Sequence, residues 1–136
     1  MNDKTTMNWD RKICFRPIGF VQNDYDEPAG PHAMRDVQSR IILDESLAAC
    51  LYGLEVGQSI LVIFHFDRSL GDFALHQHPC GDTTLPKRGV FALRTPHRPN
   101  GIGVTQVELV KIEGNVLTVL GLDALNNTPV LDIKPG

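Results

Sequence analysis

The 136-residue sequence has no long hydrophobic run, few cysteines and no excess of basic residues. Its longest aliphatic stretch, 60-ILVIF-64, is far too short to cross a bilayer, and the first ten residues contain no apolar segment typical of a secretion signal. We therefore expect a cytoplasmic protein that does not associate with membranes. The cysteines are odd in number and scattered, which indicates reduced thiols. They are Cys14, Cys50 and Cys80.

The charge balance also argues against a general nucleic-acid binder. Thirteen lysines and arginines stand against sixteen aspartates and glutamates, so the net charge is −3. Nucleic-acid-binding domains are usually basic, and any such contact here must come from a local basic patch. The length fits one domain, which at this size buries about two thirds of its unfolded surface. We predict a flexible segment over residues 1–12 and one domain over 13–136.

Short β-branched and aromatic runs separated by turn formers predict a mainly antiparallel β-fold. The predicted strands are FRPIGFV from Phe15, then 39–43, 59–66, 89–93, 103–112, 116–120 and 129–133, with a loop over 67–88. One helix is expected over about Glu45–Tyr52, with Asp44 as its cap. Its buried residues would be Leu47, Cys50 and Leu51. Open sheet edges invite aggregation, so we expect the sheet to curl toward a barrel.

The stretch 94-RTPHRPNGIG-103 combines two arginines with two prolines. Each proline restricts the residue before it, which lowers the entropy cost of holding Arg94 and Arg98 in place. A fixed guanidinium suits a carboxylate or a phosphate. The alternative is a rigid surface turn whose salt bridges contribute about 0–1 kcal/mol. The stretch is not a dinucleotide fingerprint, because it lacks the third glycine and leads into a strand.

Two longer segments, GVFALRTPHRPNGIGVTQVEL and LDALNNTPVLDIKP, make the sequence similar to the TsaA-like (YaeB/TrmO) family. The similarity extends through FRPIGFV, GLEVGQSILVIFHF and HPCGD, and runs from about Phe15 to Gly136. The resemblance implies a single-sheet antiparallel β-barrel with one or two short helices and no Rossmann domain. It also implies a homodimer that uses S-adenosylmethionine to methylate N6 of threonylcarbamoyl-adenosine, beside the anticodon of tRNA.

The resemblance also assigns site residues. The expected cofactor contacts are Pro31, His65, Phe66, Arg94, Val104, Asp123, Ala124, Leu125 and Asn126. The expected substrate contacts are Arg98, Asn100 and Thr128, although a role in fixing the loop is equally open for Arg98 and Asn100. A guanidinium would repel the sulfonium, so we expect Arg94 to bind the methionyl carboxylate or an RNA phosphate.

Several of these residues have a purely structural alternative. His65 read alone is a core histidine on the face of Leu61 and Ile63, whereas the resemblance moves it and Phe66 to the adenosyl group. Asp123 either accepts from the ribose hydroxyls or the methionine amino group, or caps its own backbone in an Asx turn. The backbone of residues 124–126 would read the adenine edge.

The sequence departs from the family pattern at three places. The family usually has Asp-Gly where this chain has Asn126-Asn127, but asparagine tolerates left-handed geometry and the turn can survive. Pro-Arg-Gln is replaced by Gly30-Pro31-His32, where Arg35 is a candidate substitute for the missing arginine. In HPCGD the usual arginine is Cys80, and HQHPC offers no fourth ligand for zinc, so no metal is expected.

The expected reaction is a direct displacement in which the substrate N6 attacks the methyl carbon. It needs positioning and removal of the N6 proton. Candidate bases are Asp132, His97 and His65, with none preferred. Two other function classes stay open: a non-enzymatic S-adenosylmethionine-binding module, and a methyltransferase with another acceptor. The basic patch for tRNA would consist of Lys87, Arg88, Arg94 and Arg98.

Overall fold

The structure is a computed structural model that describes residues 6–27, 37–68, 71 and 73–136. Within these residues, six strands close into one antiparallel barrel and two short strands form a separate hairpin. The strands are β1 (Gly19–Gln22), β2 (Gln38–Leu43), β3 (Ser59–His65), β4 (His76–Gln77), β5 (Arg88–Gly89), β6 (Ile102–Glu113), β7 (Val116–Leu120) and β8 (Pro129–Pro135). The barrel order is β1-β2-β7-β6-β3-β8. The predicted antiparallel barrel is confirmed.

Alternation along the strands fills the barrel interior. In β3 the buried side chains are Ile60, Val62 and Phe64, and in β6 they include Val107 and Leu109. Because successive strand residues point to opposite faces, Gln106 and Glu108 are exposed, as their alternation predicted. Each fully buried aliphatic or phenyl side chain contributes about 1.5–3 kcal/mol, so this core supplies most of the driving force for closure.

The predicted helix exists, but it is a 3-10 helix over Glu45–Leu51. Its Asp44 cap is confirmed, since the carboxylate accepts from the Ser46 N–H at 3.0 Å. Leu51 is buried, Leu47 is only half-buried, and the prediction that Cys50 is buried is wrong because Cys50 is exposed. A 3-10 helix has three residues per turn, so the side chain adjacent to Leu51 on the inner face is Ala48 and not Leu47.

The predicted strand over 89–93 is wrong. Arg88 and Gly89 pair with β4, after which Val90–Ala92 forms a 3-10 helix. β4 has only two residues, so a longer strand would have no partner there. Val90 is buried and donates its N–H to Leu75 O at 3.0 Å, whereas Phe91 is 83% exposed. The sequence predicted a loop over residues 67–88. The structure instead has β4 and the first residue of β5 within this range.

The first strand is shorter than predicted and begins at Gly19. A Cβ at Gly19 would lie 2.4 Å from Ile42 O, so only glycine permits this close approach of β1 to β2. Among the described residues, no helix has the length and apolar character needed to cross a membrane.

Candidate functional site

One end of the barrel collects most of the predicted site residues. Because neighbouring strands are antiparallel, β1 and β3 end where β6 and β8 begin. We call this the Asp123 end, after a residue of segment 121–128, which closes it. Leu122 and Ala124 are buried in the core, and Asp123 between them is exposed. The segment therefore seals the barrel while presenting one carboxylate to solvent.

Asp123 is held by a hydroxyl group from the barrel wall. Thr105 pairs with the buried Val62 and so lies on the inward face of β6, as its alternation with Val107 predicted. Its Oγ1 donates to Asp123 Oδ1 at 2.5 Å. Among the described residues, Asp123 does not cap its own backbone and its Oδ2 has no hydrogen-bond partner. The Asx-turn interpretation is therefore not supported, and one carboxylate oxygen is available to a ligand.

His65 and Phe66 lie at the end of β3. His65 pairs with Ile102, and since Phe64 faces inward, His65 faces the outside of the barrel and is half-buried. It is not a core histidine. Phe66 donates its N–H to Gly101 O at 2.7 Å, and its ring meets the Phe64 ring edge-on, with centroids 5.1 Å apart.

The packing of these two aromatic rings explains why the arginine-proline motif has a glycine at position 103. A Cβ at Gly103 would lie 2.8 Å from ring atoms of both Phe64 and Phe66, so glycine is required for the aromatic pair to pack. Val104 follows on the outer face, 41% exposed and paired with Ile63. Phe66, which directly follows β3, and Val104 on the adjoining β6 thus lie near the Asp123 end.

The backbone of the 121–128 segment is only partly available to a ligand. Asn126 donates its N–H to Tyr25 O at 2.7 Å, and Asn127, in left-handed geometry with φ 67°, donates to Val21 O at 2.7 Å. The asparagine turn therefore forms as predicted. The N–H groups of Ala124 and Leu125 have no partner among the described residues. These two amides are the donors left for an adenine edge.

Two residues that the sequence analysis did not single out hold segment 121–128 in place. Asn23 Nδ2 donates to Ala124 O at 2.9 Å and to Ser39 Oγ at 3.0 Å. Arg68 donates to the carbonyls of Asp26 and Asn126, each at 2.6 Å. Both residues belong to polar turn-rich stretches that offer no distinguishing signal. Thr105, in contrast, had a signal in the strand alternation.

The arginine-proline turn, residues 94–100, directly precedes β6. Arg98 folds back and donates Nη1 to Leu93 O at 2.9 Å and to Thr95 O at 3.3 Å, which supports the loop-fixing alternative. Arg94 and Asn100 are exposed and make no hydrogen bond or ion pair with a described residue. Across the described part of the chain, no such contact joins the turn to segment 121–128.

The remaining candidates lie in varied surroundings. Thr128 is 5% exposed, and its carbonyl accepts from the Val21 N–H. Pro31, His32 and Arg35 lie outside the described residues.

Lys134, hydrogen-bonded to Asp132 at 2.9 Å, lowers the pKa of that carboxyl, which makes Asp132 a weaker base. The described ranges contain no group of three or more His, Cys, Asp or Glu that could hold a metal ion.

An open groove of about 870 Å³ lies on the outer face of β1, β2, β7 and β6. It shares Asn126 with the predicted site but includes neither the arginine-proline turn nor His65, Phe66 and Val104. The groove therefore does not coincide with the residues that the family resemblance assigns to the cofactor. The Asp123 end fits the cofactor better than the groove does, because an exposed carboxylate and two unpaired amides meet there. Groove residues include Phe20, Gln22, Gln38, Arg40, Lys111 and Thr118.

Comparison with known proteins decides the family. A family model described as tRNA-methyltransferase O N-terminal domain matches residues 20–136. The chain belongs to this family. A solved structure titled "Crystal structure of TrmO" superimposes with a TM-score of 0.72 at 31% identity, covering 93% of this chain and 58% of that one. A second TrmO structure, from Pseudomonas aeruginosa, gives 0.68 at 32% identity and covers 93% and 56%.

Curated relatives of this tRNA-methyltransferase O domain carry two kinds of name. A Pyrococcus abyssi protein, 35% identical over 132 residues, is a "Probable S-adenosyl-L-methionine-binding protein", with 90% of this chain and 67% of that protein covered. A Methanothermobacter thermautotrophicus protein of the same name is 38% identical over 130 residues, covering 93% and 91%. A Rattus norvegicus "tRNA (adenine(37)-N6)-methyltransferase" is 36% identical over 133 residues, and the chain spans only 30% of it.

Proposed function

We propose that this chain is an S-adenosylmethionine-dependent tRNA methyltransferase that acts on N6 of threonylcarbamoyl-adenosine beside the anticodon. The observation that carries the proposal is the segment around Asp123, in a member of the tRNA-methyltransferase O family. There a carboxylate fixed by Thr105 stands next to the unpaired N–H groups of Ala124 and Leu125. We further propose that the enzyme is a cytoplasmic homodimer.

The residues at the Asp123 end fit the chemical groups of S-adenosylmethionine. Asp123 Oδ2 suits the ribose hydroxyls, and the amides of Ala124 and Leu125 suit acceptor nitrogens on the adenine edge. Asp26 and Asp67 are exposed at the same end, where Asp26 is 3.4 Å from the Asn126 side chain. These carboxylates give the end a negative potential, which favours a sulfonium cation.

The chain's own residues would act chiefly by positioning. S-adenosylmethionine, when bound, supplies an activated methyl group for an in-line transfer to nitrogen. Phe66, braced edge-on against Phe64, offers a rigid apolar wall that excludes water. Holding two reactants in line contributes at most about 7–11 kcal/mol to lowering the barrier. Asp132 is disfavoured as the base because its ion pair with Lys134 lowers its pKa.

The homodimer part of the proposal rests on what one chain leaves exposed. Arg94 faces solvent, and several apolar side chains around it and along β6 are also exposed, namely Leu75, Phe91, Ile102 and Val104. A partner packed on these side chains would bring its own Arg94 toward the Asp123 end. The guanidinium would then meet the methionyl carboxylate, at a distance from the sulfonium.

A second candidate function is a non-enzymatic S-adenosylmethionine-binding module. The chain covers 67% of the Pyrococcus abyssi protein and 91% of the Methanothermobacter thermautotrophicus protein with that name, but only 30% of the rat methyltransferase. A third candidate keeps the methyl transfer but changes the acceptor to another RNA or a small molecule.

One experiment separates these candidates. The protein is incubated with labelled S-adenosylmethionine and with tRNA that carries threonylcarbamoyl-adenosine but lacks the methyl group, and the nucleosides are then identified by mass spectrometry. We expect one methyl group on threonylcarbamoyl-adenosine and none on matched tRNA with plain adenosine at that position. Methylation of the plain adenosine would indicate another acceptor. Calorimetric cofactor binding without any methyl transfer would support the binding module.

A further inference from the structure

The groove on the outer face of β1, β2, β7 and β6 has an ordered polar floor. Gln22 pairs with Arg40, Arg40 with Thr118, and Thr118 with Lys111, so four side chains form one row across four strands. Neighbouring strands are about 4.8 Å apart, which places the backbones of Arg40 and Lys111 roughly 10 Å from each other. The row therefore presents two cations on one rigid surface.

The two cations differ in how far they are already engaged. Arg40 uses Nη1 to donate to Gln22 Oε1 at 2.9 Å, and its remaining guanidinium donors have no partner among the described residues. Lys111 is ion-paired with Glu113, but the two side chains are 61% and 59% exposed. An exposed pair of this kind contributes little and is readily exchanged for a phosphate. Asp24 is the one carboxylate among the lining residues, and Glu113 lies beside the row, where Lys111 and then Arg40 lower its pKa. Two carboxylates therefore accompany the two cations.

An aromatic side chain stands beside the polar row. Phe20 is 48% exposed on β1, pairs with Ile42 on β2 and lines the groove. Gln38, also in the lining, has an amide without a partner among the described residues. Guanidinium and ammonium donors beside an exposed aromatic ring are typical of proteins that bind single-stranded nucleic acid, because every base has a face that can stack.

The groove is also continuous with the Asp123 end. Asn126 and Asn127 form part of its wall, and they belong to the turn that follows Asp123, Ala124 and Leu125. A strand of RNA that lies along the groove would thus reach the place where the methyl donor is expected. The polar lining, the two cations of the row and the exposed aromatic ring favour RNA over a second protein copy as the occupant.

We propose that this groove binds a single-stranded segment of the RNA substrate, with phosphates on Arg40 and Lys111 and one base stacked on Phe20. The inference rests on the proposed function for the nature of the RNA. The groove does not include Lys87, Arg88, Arg94 or Arg98, the basic patch expected from the sequence.

The charge part is tested with two matched double variants. Arg40→Gln with Lys111→Gln removes both groove cations. Arg16→Gln with Lys134→Gln removes two exposed cations outside the groove, one of them ion-paired to an acid two residues away, as Lys111 is. Affinity for threonylcarbamoyl-adenosine-containing tRNA is measured over a range of salt concentrations. We expect the groove variant to lower the slope of log affinity against log salt by about 1.5, and the control to leave it unchanged.

The stacking part is tested at Phe20. Phe20→Ala should weaken tRNA binding roughly tenfold, and Phe20→Trp should restore it, because stacking needs only an aromatic face. Phe15→Ala is the matched control, since Phe15 is 68% exposed and does not line the groove. Equal loss in the tryptophan and alanine variants would overturn the stacking role.

Two further measurements separate this inference from the proposed function. If the wild-type protein methylates tRNA while the groove variants bind tRNA with unchanged affinity and salt slope, the groove proposal is wrong and the methyltransferase stands. If the groove variants lose affinity although the wild type methylates no tRNA, the groove stands and the methyltransferase is wrong. Sedimentation showing that the groove variants lose a dimer but keep tRNA affinity would assign the groove to a second copy and overturn the proposal.

Discussion

Thr105 Oγ1 donates a 2.5 Å hydrogen bond to Asp123 Oδ1, which joins the inward face of β6 to the segment that closes the barrel. The donor is uncharged, so Asp123 keeps its negative charge and one unpaired oxygen. The bond fixes the direction of the carboxylate without neutralising it. This is a suitable arrangement for a group that has to attract a cationic ligand and bind its hydroxyls.

Thr105→Val should weaken S-adenosylmethionine binding while the barrel remains folded. A hydrogen bond to a charged group contributes about 1.5–3 kcal/mol, so we expect an affinity loss of roughly tenfold or more by calorimetry. Thr105→Ser keeps the hydroxyl and should retain most of the affinity. Equal affinities for the valine and serine variants would show that the bond does not position Asp123 for the cofactor.

Arg68→Ala should loosen the Asp123 end. Arg68 is exposed and donates to the carbonyls of Asp26 and Asn126, so its loss leaves the global fold intact and frees the turn. We expect faster amide hydrogen exchange in residues 121–128, a small fall in melting temperature, and weaker cofactor binding. Arg11→Ala, at an exposed site before the barrel, provides the control. Unchanged exchange rates in the segment would contradict the role assigned to Arg68.

Gly103→Ala should destabilise the protein through the aromatic pair. The added methyl group would lie 2.8 Å from both the Phe64 and Phe66 rings, and overpacking of this kind costs about 1–3 kcal/mol. Gly89→Ala is the matched control, because its methyl group would meet His76 at an ordinary 3.8 Å. Denaturant unfolding of both variants checks the prediction. A Gly103→Ala variant as stable as Gly89→Ala would show that the rings give way at no cost.

The free energy of unfolding should fall at acidic pH, in part because protonation of Asp132 removes its ion pair with Lys134. Its pKa is lowered by the hydrogen bond to Lys134, so the unfolded state takes up the proton first as pH falls. Its contribution is therefore present above the ordinary carboxyl pKa of 3.8 and is lost as pH falls through the lower folded value. Melting temperatures of wild type and Asp132→Asn should differ near neutral pH and converge under acidic conditions. A constant difference across pH would contradict the ion pair as its cause.

Arg94→Ala and Arg98→Ala should differ in their effects. Arg94 is exposed and unpaired among the described residues, so its loss should reduce cofactor affinity without lowering stability. Arg98 holds Leu93 O and Thr95 O, so its loss should lower the protection of residues 93–100 against protease. Calorimetry and limited proteolysis of the two variants provide the comparison. Unchanged cofactor affinity in Arg94→Ala would remove this residue from the site.

The strands could be predicted where a run of alternating hydrophobic residues pairs with a long neighbouring strand. β6 and β7 were predicted within a residue or two because alternation and the Glu113-Gly114-Asn115 turn act locally. Residues 89–93 have the same strand-like composition, yet most of them form a 3-10 helix because β4 offers only two residues for pairing. Pairing partners are a property of the whole fold, which a local pattern does not contain.

By itself, the sequence determined the barrel class, the family and the turn at Asn126-Asn127, because periodicity, motif order and backbone preference are all encoded locally. Only the tertiary structure decided which groups at the Asp123 end are already satisfied. Asn23, Arg68 and Thr105 lie far from residues 121–128 in the chain, and closure of the barrel brings them together. Likewise, the row from Gln22 to Lys111 exists only because four strands pair in that register.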